Sequence, residues 1–306
     1  LGLGSGRKFI AAVDQEGGRV ARLRGPPFTT LPPMRVVGDS KSMDRSEQVG
    51  RLLGLEVRSL GFDWDFAPVL DVDTNPDNPV IGDRSFGSDP AVVASLGVAL
   101  ARGLESVGVA SCGKHFPGHG DTELDSHVAL PILRHEIDRL RHVELLPFRA
   151  YAEAGLASIM TAHVIFEAID PSIPATMSHR AIKGLLRDEL GFGGLIVSDD
   201  LEMKAIADHF TVDKAAVASF QAGVDLFLVC HNASVQLKAI SAIATAIDRG
   251  DIPASRLAEA EQRIQTFVDR FVQGPEVSPN HLGSDEHRRL AHALAIWLRT
   301  RRLPKL

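Results

Sequence analysis

The stretch Gly108-Val-Ala-Ser-Cys-Gly-Lys-His-Phe-Pro-Gly-His-Gly-Asp121 changes character halfway along. Gly108 to Cys112 is a short apolar run with the look of a buried strand, and Lys114 to Asp121 is polar and rich in Gly and Pro. A strand that delivers polar, glycine-rich chemistry at its C-terminal end is the working unit of parallel α/β architecture. The unit recurs along the chain. Phe9 to Val13 runs into Asp14-Gln-Glu-Gly-Gly-Arg-Val20, Trp64 to Val69 into Asp71-Val-Asp-Thr-Asn-Pro76, and Leu195 to Val197 into Ser198-Asp-Asp-Leu-Glu202. Ser158 to His163 and Val224 to Val229 are two further strand candidates. Ser46 to Leu60, Pro90 to Val107 and Ile137 to Ala154 lie between strands and carry the 3.6-residue apolar spacing of helices. The strands are continuously apolar, as expected where helices cover the outer face.

Two architectures place ligands at strand C-terminal ends, the doubly wound sheet and the (β/α)₈ barrel. No G-x-G-x-x-G follows the first strand and no G-x-x-x-x-G-K-[ST] occurs, so the nucleotide-binding reading loses its support. The expectation is a TIM-like (β/α)₈ barrel. Six strands are counted where eight are needed. At roughly 30 residues per βα unit, a barrel lacking about two N-terminal units matches both that count and the start in a strand-like segment. Ser234 to Arg249, Pro253 to Val272 and His287 to Thr300 read as helices that close the bottom or flank of the barrel. One domain over residues 1–306 is expected, with the motifs at about 8–232 and the C-terminal helices at about 233–301.

The chain has 306 residues, 44% hydrophobic and 24% charged, the balance of a soluble globular protein. Its net charge of −6 advertises no basic surface, which argues against nucleic acid as the main partner. No apolar run approaches membrane-spanning length, and the first residues do not read as a signal peptide. Cys112 and Cys230 can build neither a disulfide framework nor a four-thiolate metal site, and they fit a reducing compartment. A cytoplasmic, enzyme-sized monomer is the expectation.

Candidate chemistry is densest in Lys114-His-Phe-Pro-Gly-His-Gly-Asp-Thr-Glu-Leu-Asp-Ser-His127. Asp125 stands two residues from His127, where a carboxylate can fix the tautomer of an imidazole and raise its basicity. A solvated polar loop with an Asx-turn explains the same residues. In Gly194-Leu-Ile-Val-Ser-Asp-Asp-Leu201 an apolar strand ends in two acids, and alternation allows only one of Asp199 and Asp200 to face a pocket. The other suits a helix N-cap. Asp14, beside Gly17 and Gly18, could accept hydrogen bonds from two adjacent sugar hydroxyls; the plain alternative is a turn with Glu16 and Arg19 paired on the surface. Arg84 offers a fork-shaped donor. His115, His119, His127 and His163 lie at or after strand ends, but there is no H-x-H at a strand end and no H-E-x-x-H, so no metal and no cofactor are expected.

These motifs resemble glycoside hydrolase family 3, and within it the single-domain β-N-acetylglucosaminidases of the NagZ type. The likeness rests on Lys114-His-Phe-Pro-Gly-His-Gly120 with Asp125-Ser-His127, on Asp14 to Val20, on Phe66-Ala-Pro-Val-Leu-Asp71 and on Ser198 to Leu201, all in the family's order from about Lys8 to Asn232. The resemblance implies Asp199 as nucleophile, His127 as general acid/base and Asp125 as its orienting partner. It places sugar binding on Asp14, Arg84, Lys114 and His115, and with them His163 in Met160-Thr-Ala-His163. It implies two further βα units before Asp14. The implied reaction is retaining exo-hydrolysis of terminal β-linked GlcNAc from peptidoglycan fragments, GlcNAc-1,6-anhydro-MurNAc with or without peptide. A neutral imidazole repels an incoming anion less than a carboxylate does, so phosphorolysis is an alternative. So are another family 3 β-glycosidase and a GlcNAc-binding barrel without turnover.

Overall fold

The computed structural model describes residues 9–123, 125–126, 129–272 and 277–302. Six parallel strands follow one another in chain order. They are β1 (Ala12–Val13), β2 (Trp64–Asp65), β3 (Cys112–Phe116), β4 (Ser158–Thr161), β5 (Leu195–Asp200) and β6 (Leu226–Leu228). Ala12 pairs with Trp64, and two parallel bridges, Trp64 with Ala110 and Val69 with Lys114, carry β2 onto β3. The run then continues from β3 to β4, β5 and β6. Each strand neighbours its predecessor. A doubly wound sheet reverses its order at the switch point; this one does not, and it is a barrel-like α/β arrangement. Among the described residues no ladder joins β6 back to β1.

Strand periodicity sorts the side chains into two layers. Ala12, Trp64, Cys112, Met160, Val197 and Leu228, one from each strand, fall in a single apolar cluster on the inner face. Trp64 Nε1 crosses that interior to donate to Ser158 Oγ at 2.9 Å. Phe267 and Phe271 join the cluster at the N-terminal end of the strands, with the Phe267 ring 4.9 Å from that of Trp64. The residues of opposite parity, such as Ile159 and Ile196, pack outward with Phe148, Tyr151 and Ile182. Two residues beyond the inner cluster on β1, β3 and β5 stand Asp14, Lys114 and Asp199. The period of two thus delivers the polar residues to one mouth.

Helices α1 (Met43–Arg58) and α2 (Pro90–Glu105) form the tightest helix pair. The Ser42 side chain accepts from Arg45 N–H and caps α1; that of Asp89 accepts from Ala91 N–H and caps α2, whose first residue is Pro90. Val49, Leu52, Leu53 and Val57 recur at helical spacing and meet Val93, Leu96, Leu100 and Leu104. Glycines let the two backbones touch. A Cβ at Gly50 would lie 2.0 Å from the Leu100 carbonyl oxygen, and one at Gly103 would lie 2.1 Å from that of Glu47. Ala291 and Leu294 of α4 (Asp285–Arg302) complete this cluster, and α3 (Ala254–Phe267) carries the Phe267 plug.

Three expectations shift. The strand read over Gly108 to Cys112 forms at Cys112–Phe116, so Lys114 and His115 belong to the strand and not to the loop after it. Pairing to both neighbours holds this polar segment extended. The helix expected over Ile137 to Ala154 is two, Ile137–His142 and Leu146–Glu153, because Pro147 cannot continue the first but fits the first turn of the second. The strand at Leu195 extends through Asp200.

Candidate active site

Asp199 ends the inner row of β5. Its Oδ1 accepts the Asp200 N–H at 2.8 Å. Burial pushes its carboxyl up, but attraction to His163 and His115, the Asp200 N–H and Lys114 outweighs burial and holds it below the usual carboxylate range. Asp200 points elsewhere: its carboxylate accepts from Glu202 N–H and Cys230 N–H and meets His231 Nε2 at 3.1 Å. Asp199 thus faces the mouth as expected, whereas Asp200 is no helix N-cap: the next helix starts after Met203, and the Asp200 carboxylate closes the turn before it.

His163 lies beneath Asp199, fully buried. Its Nε2 sits 3.0 Å from the Asp200 carbonyl oxygen, which can only accept, so that nitrogen carries the hydrogen. Nδ1 lies 2.9 Å from the Thr176 hydroxyl, which also meets the Ala162 carbonyl. Burial lowers the imidazole's pKa against the pull of Asp199, so His163 is neutral at neutral pH.

Lys114 spans from β3 to the segment after β1. Its Nζ lies 2.8 Å from Asp14 Oδ1 and 2.7 Å from Glu16 Oε1. Arg84 grips Glu16 with two donors, Nε at 2.9 Å and Nη2 at 2.8 Å. Burial opposes ionisation of all three, yet Lys114 and Arg84 bring the Glu16 carboxyl down to about 2, and Glu16 raises both cations in turn. Lys114 is 2% exposed and Asp14 32%, so the ion cluster is tiered: Asp14 meets solvent at the mouth, while Lys114, Glu16 and Arg84 hold it from below.

His115 and Asp71 form a second buried pair. His115 Nδ1 lies 2.7 Å from Asp71 Oδ2, while Asp71 Oδ1 accepts the backbone N–H groups of His115 and His119. One carboxylate thus fixes the backbone of the motif and the orientation of its first imidazole, leaving His115 Nε2 as the ring nitrogen available to a ligand.

The structure brings Asp14, Arg84, Lys114, His115, His163 and Asp199 into one site. Asp125 is described on the neighbouring loop, where its carbonyl accepts the Ala129 N–H; His127 lies outside the described residues. Sequence reasoning overlooked Glu16 and Asp71. Glu16 does not pair with Arg19; Arg19 bonds Asp83 and the Val80 and Ile81 carbonyls instead. Nothing in the sequence around Glu16 marks it as buried; its burial in a strand-paired segment shows only in the fold. Of the histidines weighed as metal ligands, the three described ones have other engagements, His115 with Asp71, His119 with Thr122 and Ser126, and His163 with Thr176 and the Asp200 carbonyl.

The glycosyl hydrolase family 3 N-terminal domain profile matches residues 5–267. A beta-hexosaminidase of Nitrosomonas eutropha is 38% identical over 279 residues, which cover 88% of this chain and 79% of the relative. One from Neisseria meningitidis serogroup C is 44% identical over 232 residues, 73% of this chain and 63% of the relative. The solved glycoside hydrolase family 3 beta-N-acetylglucosaminidase from Paenibacillus sp. str. FPU-7 superposes with a TM-score of 0.91 at 39% identity, over 95% of this chain and 56% of that one. The chain thus spans less than two thirds of the length of the last two.

Proposed function

The chain belongs to glycosyl hydrolase family 3, and from that premise we propose that it is a retaining exo-β-N-acetylglucosaminidase. The observation that carries the reading is the place of Asp199 on the inner row of the strands, beside the tiered Asp14–Lys114–Glu16–Arg84 cluster. Asp199 attacks the anomeric carbon of a terminal β-GlcNAc as His127, oriented by Asp125, gives its proton to the leaving oxygen. Water then attacks the glycosyl-enzyme and loses its proton to the now neutral His127, and two inversions return the β anomer. Most retaining glycosidases pair two carboxyl groups; here the second role falls to an imidazole. Asp14 accepts from ring hydroxyls, and Lys114, Arg84 and His115 hold the sugar's polar face. His163, neutral and locked to the Asp200 carbonyl, sets the height of the strand end.

The substrate class is GlcNAc-1,6-anhydro-MurNAc, with or without peptide, from which GlcNAc is released during cell-wall recycling in the cytoplasm. Arg22, exposed and 3.7 Å from Asp14, supplies a cation at the rim for such an acidic aglycone. No described helix is long and apolar enough to cross a membrane.

A proton NMR time course on an aryl β-GlcNAc glycoside tests the reading, run in phosphate and in phosphate-free buffer. The expected first product in both is β-GlcNAc. GlcNAc-1-phosphate would replace hydrolysis by phosphorolysis, the α anomer would overturn retention, and faster turnover of an aryl β-glucoside would reassign the substrate.

A further inference from the structure

We propose that His119 and Ser126 are positioning residues that anchor the Asp125–His127 loop to the segment following Asp199, an inference that rests on the roles proposed above for Asp199 and His127. The His119 imidazole is 2% exposed and both of its nitrogens are engaged, Nδ1 with Thr122 Oγ1 at 2.7 Å and Nε2 with Ser126 Oγ at 2.9 Å. Its backbone N–H is held by Asp71, and its ring stands edge-on to His115 with centroids 5.9 Å apart. The base of the anchor is therefore the same carboxylate that orients His115.

Ser126 is the other end. It is equally buried, and its carbonyl accepts the N–H of Ala205 at 3.2 Å. Ala205 lies in the short helix Lys204–Ala207, directly after the strand that ends in Asp199 and Asp200. One residue thus ties the β3 loop to the β5 loop through two hydrogen bonds of different origin, one from a side chain and one from the backbone. Successive Cα atoms are at most about 3.8 Å apart, so holding Ser126 restrains Asp125 beside it. Burial and the neighbouring His115 hold the His119 imidazole down to about 4, and the anchor stays neutral at working pH. Its contribution is to the fraction of molecules whose acid/base is in place, and one hydrogen bond changes such a population by up to about tenfold.

The test separates acid catalysis from general damage. kcat/KM is measured in the full-length protein for a β-GlcNAc glycoside with a 2,4-dinitrophenyl leaving group, which departs without a proton, and for chitobiose, which needs one. Ser126→Ala is expected to lower chitobiose turnover about tenfold while leaving the dinitrophenyl substrate within about twofold. Ser126→Thr, which keeps the hydroxyl, should restore most of the loss. Equal losses on both substrates, or unchanged chitobiose turnover, would overturn the proposal. Should Ser126→Ala unfold, His119→Gln is read by the same pair of substrates. His127→Ala is the control: if it shows no leaving-group dependence, the acid/base assignment falls. If His127→Ala shows it and the anchor variants do not, only the anchor falls.

Discussion

Asp199 and Asp200 are adjacent and chemically identical, yet the fold gives them different work. The period of two in β5 puts Asp199 in line with Leu195 and Val197 on the inner face, and Asp200 turns to the Glu202 and Cys230 amides. Asp199→Ala should lower kcat/KM by ~10³ or more, and added azide should restore turnover while giving the α-glycosyl azide, which NMR identifies. Asp200→Ala should mainly lower Tm. Because the Asp199 carboxyl is held below its usual range, activity should show no acidic limb from this group above pH ~4. Glu16→Gln leaves Lys114 and Arg84 short of a buried anion; a stability loss of about 3 kcal/mol and a raised KM are expected, read by thermal unfolding and steady-state kinetics. Alternation made Asp199 legible in the sequence. The role of Glu16 was not, because its partners Arg84 and Lys114 lie 68 and 98 positions away and only folding brings them together.

Strands and helices were legible wherever apolar periodicity was strong. Five of the six inner strands fall where apolar runs stand, and α1 and α2 begin within a few residues of their expected starts. The misplaced element was β3, whose Lys, His and glycines carry loop propensity while its neighbours on both sides impose extension. Gly103→Ala tests the helix contact: a methyl group 2.1 Å from the Glu47 carbonyl must part α1 from α2, costing about 2 kcal/mol with kcat unchanged. Glu56 tests how α4 is attached. Its buried carboxylate accepts from Thr29 N–H and Oγ1, Gly283 N–H and His287 Nδ1. Burial pushes its pKa up, but these partners outweigh burial and lower it. A lowered folded pKa contributes stability above the unfolded value of about 4.5, lost as pH falls through the folded one. The Tm gap between the parent and Glu56→Gln should therefore be widest at neutral pH and shrink below pH ~4.

At the scale of the molecule, unbroken strand order sends every strand's C-terminal end to the same mouth. Polar residues at the ends of β1 to β5, scattered in sequence from Asp14 to Asp199, become one site for that reason. The family motifs were readable in sequence because they sit at those ends; how the loop bearing Asp125 meets the one after Asp199 was not, since it depends on the long-range Ser126–Ala205 bond. The central claim is a covalent glycosyl-enzyme on Asp199. Incubation with 5-fluoro-β-N-acetylglucosaminyl fluoride, followed by proteolysis and mass spectrometry, reads it directly. The account predicts one added sugar on the peptide containing Asp199, absent in Asp199→Ala. A sugar on any other residue, or steady turnover with no adduct on that peptide, would contradict it.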